Sequence, residues 1–244
     1  MTTDKADLLR TLHMPGSPVI LPNVWDAASA RAVWEADFPA VATGSAAVAH
    51  VLGYEDGEGT PVGEMMAAIA RIVRVVDVPV TADIERGYGL KPAELVERLA
   101  ATGAVGCNIE DSTAGALVDP GEQADFLAEM RAAAGQGLVI NARVDTYIRG
   151  RTSREEAVER GRRYLEAGAD CVYPIGLADE DEIGALVSEL GAPVNILFRP
   201  GVPSLERLGE LGVARISFGG GLHRAAHTYA QSLFAKVREG HSPY

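Results

Sequence analysis

The sequence predicts a (β/α)8 TIM barrel, and three observations lead to this fold class. From residue 18 onward a short apolar run is repeatedly followed by a helical pattern, which is typical of βα units around a parallel sheet. Eight such units can be counted, whereas a doubly wound sheet would need about two fewer strands and preferably a glycine-rich first turn. No linker or break in composition divides the 244 residues, so residues 1–244 are expected to form one catalytic barrel domain.

The predicted strands and helices alternate in a regular order. The eight predicted strands cover residues 19–24, 40–43, 78–83, 106–110, 138–143, 171–175, 194–198 and 214–218. The clearest predicted helices cover residues 91–101, 122–134, 154–167, 180–190 and 222–239. Thr152 and Ser153 can cap the helix that begins at 154, while Gly103, Gly168 and Gly212 are expected just past helix ends.

The charge of the chain restricts its expected partners. With 22 basic against 34 acidic residues, the formal net charge is -12, which opposes binding to a phosphate backbone or to an anionic membrane surface. Neither nucleic acid nor a membrane is therefore an expected partner. The first residues lack the basic and apolar segments of a leader, and no apolar run approaches the ~18 residues of a membrane span, so a cytoplasmic location is expected.

The cysteines and the absence of common motifs narrow the chemistry. Cys107 and Cys171 lie in apolar runs without a CxxC or Cys/His neighbour, so we interpret both as buried, inert thiols. The sequence contains no G-x-G-x-x-G, G-x-x-x-x-G-K-[ST], H-E-x-x-H or G-x-S-x-G pattern. The simplest nucleotide-binding, zincin and serine-hydrolase functions are therefore excluded.

The histidines give little indication of a functional site. His50 lies near the rim of the predicted barrel, where a structural or surface role is favoured over catalysis. His223 and His227 are four residues apart on the last predicted helix and could chelate a metal ion. Because no acidic residue accompanies them, a solvated helix face is the preferred interpretation.

Acidic residues collect at the ends of the predicted strands, where the active site of a barrel is built. These segments are Glu55-Asp56, Asp83-Ile84-Glu85, Glu110-Asp111 and Arg143-Val144-Asp145. Two carboxylates ~4 Å apart repel by ~4 kcal/mol at an effective dielectric constant of about 20, so a close cluster requires protonation or a cation. Mg²⁺ suits such oxygen ligands, but the acids could also point outward or pair with arginines.

The run from Asp83 to Gly89 favours the metal site over these alternatives. Residues two apart on a strand face the same side, so Asp83 and Glu85 can both project toward the mouth of the barrel. Gly87 and Gly89 then permit a close backbone turn over the site.

Several segments together resemble the isocitrate lyase/phosphoenolpyruvate mutase family across nearly the whole barrel. They are Pro22 to Arg31, Thr43-Gly44-Ser45-Ala46-Ala47, Leu52 to Asp56, Asp83 to Gly89, Asn108 to Asp111, Asn141 to Asp145 and Asn195-Ile196-Leu197. The resemblance implies a barrel that binds Mg²⁺, with Mn²⁺ as an alternative, and a small carboxylate such as a 2-oxo acid. It further implies cleavage or formation of a C–C or P–C bond beside the carbonyl through an enolate-like intermediate, and a homo-oligomer.

The same resemblance implies roles for individual residues. Asp83 corresponds to the direct metal ligand, and Asp56, Glu85 and Glu110 to the acids that hold its waters. The turn Gly44-Ser45-Ala46 corresponds to the segment that receives the substrate carboxylate, and Arg143 to the arginine that completes this anion clamp. The other expected substrate-binding residues are Trp25, Asp26, Thr43 and Asn195. Arg143, Glu110 and Tyr88 are the expected catalytic residues, although Tyr88 could equally cover the barrel mouth by packing alone.

The chain departs from the family pattern in the loop after Glu110. Isocitrate and methylisocitrate lyases carry a Lys-Lys/Arg-Cys-Gly-His segment there, whereas residues 111–120 contain neither cysteine nor histidine. The resemblance therefore implies a Mg²⁺-dependent lyase or hydrolase that cleaves a C–C bond beside the carbonyl of a small 2-oxo or oxaloacetate-like acid. The alternatives are a phosphonopyruvate-type enzyme, which the missing mutase-type loop disfavours, and a barrel that binds 2-oxo acids without catalysis.

Overall fold

The computed structural model, which describes residues 2–151 and 153–244, contains a closed ring of parallel strands. The strands are β1 (Val19–Leu21), β2 (Asn23–Val24), β3 (Val41–Thr43), β4 (Val80–Asp83), β5 (Gly106–Ile109), β6 (Ser112–Thr113), β7 (Ala116–Leu117), β8 (Val139–Val144), β9 (Cys171–Pro174), β10 (Asn195–Leu197) and β11 (Arg215–Ser217). The short hairpin of β6 and β7 is antiparallel and lies outside the ring, in the loop after β5.

The pairing of the ring strands confirms the predicted barrel. Parallel ladders run in the orders β2-β3-β4-β5-β8-β9 and β1-β11-β10. β1 and β2 are two parts of the first predicted strand, separated at Pro22, which has no N–H to donate to a ladder. A parallel bridge between Val172 and Val194 joins β9 to the β10 side, which closes the ring. The doubly wound alternative is therefore wrong.

One helix precedes the ring, and the other helices follow ring strands, as the sequence predicts. They are α1 (Thr2–Leu12), α2 (Ala27–Glu35), α3 (Ser45–Leu52), α4 (Val62–Val73), α5 (Pro92–Thr102), α6 (Pro120–Ala134), α7 (Arg154–Glu166), α8 (Glu180–Leu190), α9 (Leu205–Glu210) and α10 (Gly221–Arg238). Of the predicted capping pair, Ser153 accepts a hydrogen bond from the backbone N–H of Glu156, and Thr152 lies outside the described residues. No helix within residues 2–151 and 153–244 is long and apolar enough to cross a bilayer.

Helix α1 packs at the end of the barrel opposite the predicted site. Its Leu9 is fully buried in a cluster with Leu21 of β1, Val105, which directly precedes β5, and Val139 at the start of β8. A Cβ atom on Gly106 would lie 2.7 Å from Leu9 Cδ2, so the close approach of α1 requires glycine at this position. Because α1 covers this end, a ligand has access from the other one.

The positively charged side chain of Arg215 is buried inside the barrel, where its neighbours are neutral polar side chains. The guanidinium of Arg215 is fully buried and donates to Asn108 Oδ1 (3.0 Å), which also accepts a hydrogen bond from Asn141 (2.8 Å). His13 reaches the same group from the α1 side, with Nε2 3.5 Å from Arg215 Nη1. His13 Nδ1 lies 2.7 Å from the carbonyl oxygen of Leu9, which can only accept. The proton therefore resides on Nδ1, and the Nε2 lone pair faces the arginine.

We predict that His13 makes the stability of the protein depend on pH. Burial, followed by the Arg215 charge, lowers the pKa of His13 from 6.5 to about 4. Between these pH values the unfolded chain binds a proton at His13 and the folded chain does not, so the free energy of unfolding falls as the pH decreases through this window. The expected contribution of His13 is about 3 kcal/mol.

Urea unfolding of the wild type and of His13→Gln between pH 7 and pH 4 measures this contribution. The wild type should lose more stability than the variant across the window, and His241→Gln, at an exposed histidine, should behave like the wild type. Parallel pH profiles for the wild type and His13→Gln would contradict the prediction.

Candidate active site

A cavity of about 690 Å³ opens at the C-terminal ends of the ring strands. The residues that line it come from nearly every part of the ring: Asn23, Gly44, Ser45, Ala46, Asp56, Asp83, Asn108, Arg143, Tyr173, Ile175, Leu197, Phe198, Arg199, Pro200, Gly201, Val202, Ser217, Phe218, Gly219, Gly220, Gly221, Leu222 and Arg224. The cavity therefore lies where the sequence predicts an active site. Of the predicted site residues it contains the Gly44-Ser45-Ala46 turn, Asp56, Asp83 and Arg143.

The two carboxylate oxygens of Asp83 differ, because one accepts hydrogen bonds and the other has no hydrogen-bond partner among the described residues. Its Oδ2 accepts hydrogen bonds from the backbone N–H (3.2 Å) and the hydroxyl (3.1 Å) of Ser45. Its backbone N–H donates to Thr43 Oγ1 (2.9 Å), which fixes the end of β4. Oδ1 is buried without a hydrogen-bond partner among the described residues. Burial raises the pKa of Asp83, and the Arg143 charge opposes this effect. A buried, unpaired acceptor in an acidic surrounding suits a cation.

Asp56 reaches the same point from the loop after α3. The hydroxyl of Ser45 lies 3.3 Å from Asp56 Oδ1 as well as 3.1 Å from Asp83 Oδ2. The structure thus brings two of the four predicted metal-site acids, Asp56 and Asp83, together around one hydroxyl group.

Glu85 and Tyr88 form a latch with Glu58, a residue that the sequence analysis did not identify. The Glu85 carboxylate accepts hydrogen bonds from the Glu58 backbone N–H and from the Tyr88 hydroxyl (3.1 Å), and the Glu58 carboxylate accepts from the Tyr88 backbone N–H. Burial raises the pKa of Glu85. All three residues have φ between 51° and 63°, in the left-handed region that non-glycine residues rarely adopt. The latch ties the loop that carries Asp56 to the turn after Asp83.

Arg143 engages two carboxylates at once. Its Nε and Nη2 donate to the fully buried Asp145 (2.6 and 2.8 Å), and Nη2 also contacts Glu110. Burial raises the pKa of Glu110 to about 8, against the lowering effect of Arg143. The bidentate fork that was expected to clamp a substrate carboxylate is therefore occupied by Asp145. None of these contacts uses Nη1, and the side chain still lines the cavity.

Several predicted site residues lie behind the cavity wall. Thr43 holds the backbone of Asp83, and Asp26 caps α2 by accepting from the Ser29 backbone N–H (2.7 Å). Asn195 accepts a hydrogen bond from Ser217 (3.3 Å). Trp25 packs edge-on against a histidine ring of α10, and Tyr88 and Glu110 are likewise not among the lining residues. Their direct contact with substrate stays a prediction.

The far wall of the cavity, which sequence reasoning missed, follows β10 and β11. Asn23 Oδ1 accepts from the backbone N–H groups of Phe218 (2.7 Å) and Gly219 (2.8 Å) and so fixes the loop after β11. Apolar side chains form much of this wall: Ile175, Leu197, Phe198, Val202, Phe218 and Leu222. Asn23, a polar residue in the first predicted strand, could have indicated this wall. The apolar residues after β10 and β11 have no polar pattern that would mark them as part of a site.

We predict that the two cysteines contribute to stability and not to turnover. Both are free and buried, and burial raises the pKa of each thiol to about 12, so neither forms a thiolate near neutral pH. Cys107→Ala and Cys171→Ala should each lower the free energy of unfolding by about 1 kcal/mol through the cavity they leave. Their kcat/KM should stay within about twofold of the wild type. Loss of turnover in a well-folded Cys107→Ala protein would contradict this assignment.

Comparisons with known proteins agree with this geometry. The model of the family described as phosphoenolpyruvate phosphomutase matches residues 9–238. Oxaloacetate decarboxylase of Pseudomonas entomophila is 30% identical over 230 residues, which cover 89% of this chain and 79% of that protein. A solved candidate phosphonomutase of Burkholderia cenocepacia J2315 is 39% identical and superposes with a TM-score of 0.91 over 98% of this chain and 100% of that one. A phosphonopyruvate hydrolase solved with oxalate and Mg²⁺ is 25% identical and superposes with a TM-score of 0.87 over 97% and 87% of the two chains.

Proposed function

We propose that this chain, which belongs to the phosphoenolpyruvate phosphomutase family, is a Mg²⁺-dependent enzyme that cleaves a C–C bond at C3 of an oxaloacetate-type 2-oxo acid. The observation that carries the proposal is Oδ1 of Asp83, a buried acceptor in the cavity wall that has no hydrogen-bond partner among the described residues.

The donor set fits a hard dication. Asp83 would hold the ion directly through Oδ1, and Asp56, Glu85 and Glu110 would accept hydrogen bonds from its waters. When bound, Mg²⁺ or Mn²⁺ stabilises the negative charge that develops on the keto oxygen during cleavage. The Mg²⁺ in the solved phosphonopyruvate hydrolase supports this choice of ion.

The turn after β3 suits the substrate carboxylate. The first N–H groups of a helix have no intrahelical acceptor, and α3 begins in the cavity wall at Ser45. The Ser45 N–H is used by Asp83, which leaves the next amide of the turn, at Ala46, for an anion. The Nη1 group of Arg143 would donate to the same anion from the opposite side.

The loop after β5 favours decarboxylation over an aldol-type cleavage. Asp111 is buried and bound by Arg160 and Tyr164, and Asp119 is exposed and caps α6. Neither is placed to exchange a proton with a carbon fragment, as the cleavage of isocitrate requires. Decarboxylation breaks the C3–C4 bond and leaves its electron pair in the enolate of the remaining 2-oxo acid, so the departing CO2 needs no proton and water can protonate C3. The oxaloacetate decarboxylase of P. entomophila supports this reaction class.

The cavity is larger than a four-carbon diacid requires, and its far wall is apolar. We therefore expect oxaloacetates with an apolar substituent on C3 to bind more tightly than oxaloacetate, by about tenfold for one or two buried methylene groups. Phosphonopyruvate is the second candidate substrate, favoured by the similarity to the candidate phosphonomutase.

A substrate screen tests the proposal. Purified protein with Mg²⁺ or with EDTA is incubated separately with oxaloacetate, 3-alkyl oxaloacetates, phosphonopyruvate, isocitrate and 2-methylisocitrate. Pyruvate or the matching 2-oxo acid, oxalate, phosphate, glyoxylate and succinate are quantified. Because free Mg²⁺ also decarboxylates oxaloacetate, Asp83→Ala protein serves as the background. Release of a 2-oxo acid or of oxalate from oxaloacetate or a 3-alkyl oxaloacetate, above this background, supports the proposal. Phosphate from phosphonopyruvate without any C–C cleavage, or robust isocitrate cleavage, would refute it.

A further inference from the structure

Three histidines from two distant parts of the chain converge outside the active-site cavity. His50 lies on α3, and His223 and His227 lie one turn apart on α10. Their ring centroids are 5.0, 5.3 and 4.3 Å apart, and one ring nitrogen from each lies within 4.8 Å of those of the other two. They line a hollow of about 350 Å³. The sequence pairs only His223 with His227 and favours a solvated helix face for both, whereas the structure buries His223 and places His50 beside them.

The central ring of this cluster has an unused nitrogen. His223 is 6% exposed, and its Nε2 is buried without a hydrogen-bond partner among the described residues. Burial lowers the pKa of His223, and the nearby His227, His50 and Arg224 lower it further against the opposite effect of Asp26. The imidazole is therefore neutral at physiological pH, with a lone pair available for a ligand.

We propose that His50, His223 and His227 bind one transition-metal dication, for which Zn²⁺ is the best match. Three neutral imidazoles are a common protein ligand set for Zn²⁺, with water in the fourth position, whereas Mg²⁺ prefers oxygen ligands. Tetrahedral coordination needs nitrogens about 3.3 Å apart, given Zn–N bonds of ~2.0–2.1 Å. Because His50 and His227 are exposed, small rotations of their side chains close the present spacing.

The three histidines lie on two helices that begin at the walls of the active-site cavity, so a bound ion would link these walls. Helix α3 starts at Ser45, in the turn that faces Asp83, and α10 follows the Gly219-Gly220-Gly221 segment on the far wall of the cavity. An ion held by both helices would fix the distance between these two walls. Trp25 already packs edge-on against His223, at 5.0 Å between centroids, and restricts its orientation.

Titration of tag-free, EDTA-treated full-length protein with ZnCl2 tests the site. Excess Mg²⁺ is present to occupy the carboxylate site, and heat is recorded by calorimetry. CoCl2 in a parallel titration reports coordination through the visible absorption of tetrahedral Co²⁺. We expect one ion per chain and, at a hundredfold excess over Kd, a rise in Tm of about 5–10 °C.

Matched variants locate the ion. His50→Gln and His227→Gln replace exposed residues and should fold normally, yet each should weaken Zn²⁺ binding at least tenfold. His241→Gln, which removes an exposed histidine elsewhere, and Asp83→Ala should both retain wild-type Zn²⁺ affinity. No Zn²⁺ binding by the wild type, unchanged affinity in His50→Gln and His227→Gln, or loss of binding in Asp83→Ala would each overturn the proposal.

Discussion

Replacing Asp83 by alanine should abolish tight Mg²⁺ binding and lower kcat/KM at least about a thousandfold, a loss of about 4 kcal/mol of transition-state stabilisation. The reason is that Oδ1 of Asp83 is a buried carboxylate oxygen in the site with no hydrogen-bond partner in the part of the chain that the structure describes. Calorimetric titration with MgCl2 and steady-state kinetics measure the two effects. Asp181→Ala, at an exposed position on α8, is the control and should behave like the wild type.

The same variant separates a metal ligand from a structural residue. Burial raises the pKa of Asp83, so its carboxylate destabilises the metal-free fold. Metal-free Asp83→Ala protein should therefore have a Tm at least equal to that of the metal-free wild type. Unchanged Mg²⁺ affinity would mean that Asp83 is not a metal ligand, and a large fall in Tm without metal would mean that its carboxylate stabilises the fold.

Arg143→Lys should impair both substrate binding and the fold, even though the charge is kept. A lysine cannot reproduce the bidentate contact with buried Asp145 and still reach Glu110 and the cavity. We expect kcat/KM to fall about 10- to 100-fold and the free energy of unfolding to fall by about 2 kcal/mol. Kinetics and urea denaturation provide the two numbers.

A matched control distinguishes these two effects. Arg160 is also buried and pairs with Asp111 (3.0 Å), away from the cavity. Arg160→Lys should lose stability without a change in KM. If Arg143→Lys shows the same pattern, with wild-type kinetics and reduced stability, then Arg143 orders the strand ends and does not bind substrate.

The barrel could be predicted because its signal is repeated along the chain. Alternating apolar runs and helical patterns recur eight times, and the ends of the strands carry the acids that the structure brings to one mouth. Asp83 lies at the end of β4, and Ser45 and Asp56 follow β3, the neighbouring strand, so the order of the strands brings the three residues together.

Other features depend on conformations that have no sequence signal. The latch of Glu58 with Glu85 and Tyr88 needs a left-handed backbone at three non-glycine residues. The meeting of His50 with His223 depends on the rotation of α3 and α10 about their axes, which an apolar pattern does not fix. The pairing of Arg143 with Asp145 could have been predicted, because residues two apart on a strand share a side. The family resemblance instead implied that Arg143 binds the substrate.

A crystal structure with Mg²⁺ and oxalate, which mimics the planar enolate of a 2-oxo acid, tests the central claim most directly. The account predicts Mg²⁺ bonded to Oδ1 of Asp83, waters of the ion held by Asp56, Glu85 or Glu110, and oxalate directed toward the Gly44-Ser45-Ala46 turn. Mg²⁺ and oxalate bound elsewhere, with Oδ1 of Asp83 still without a partner, would contradict it.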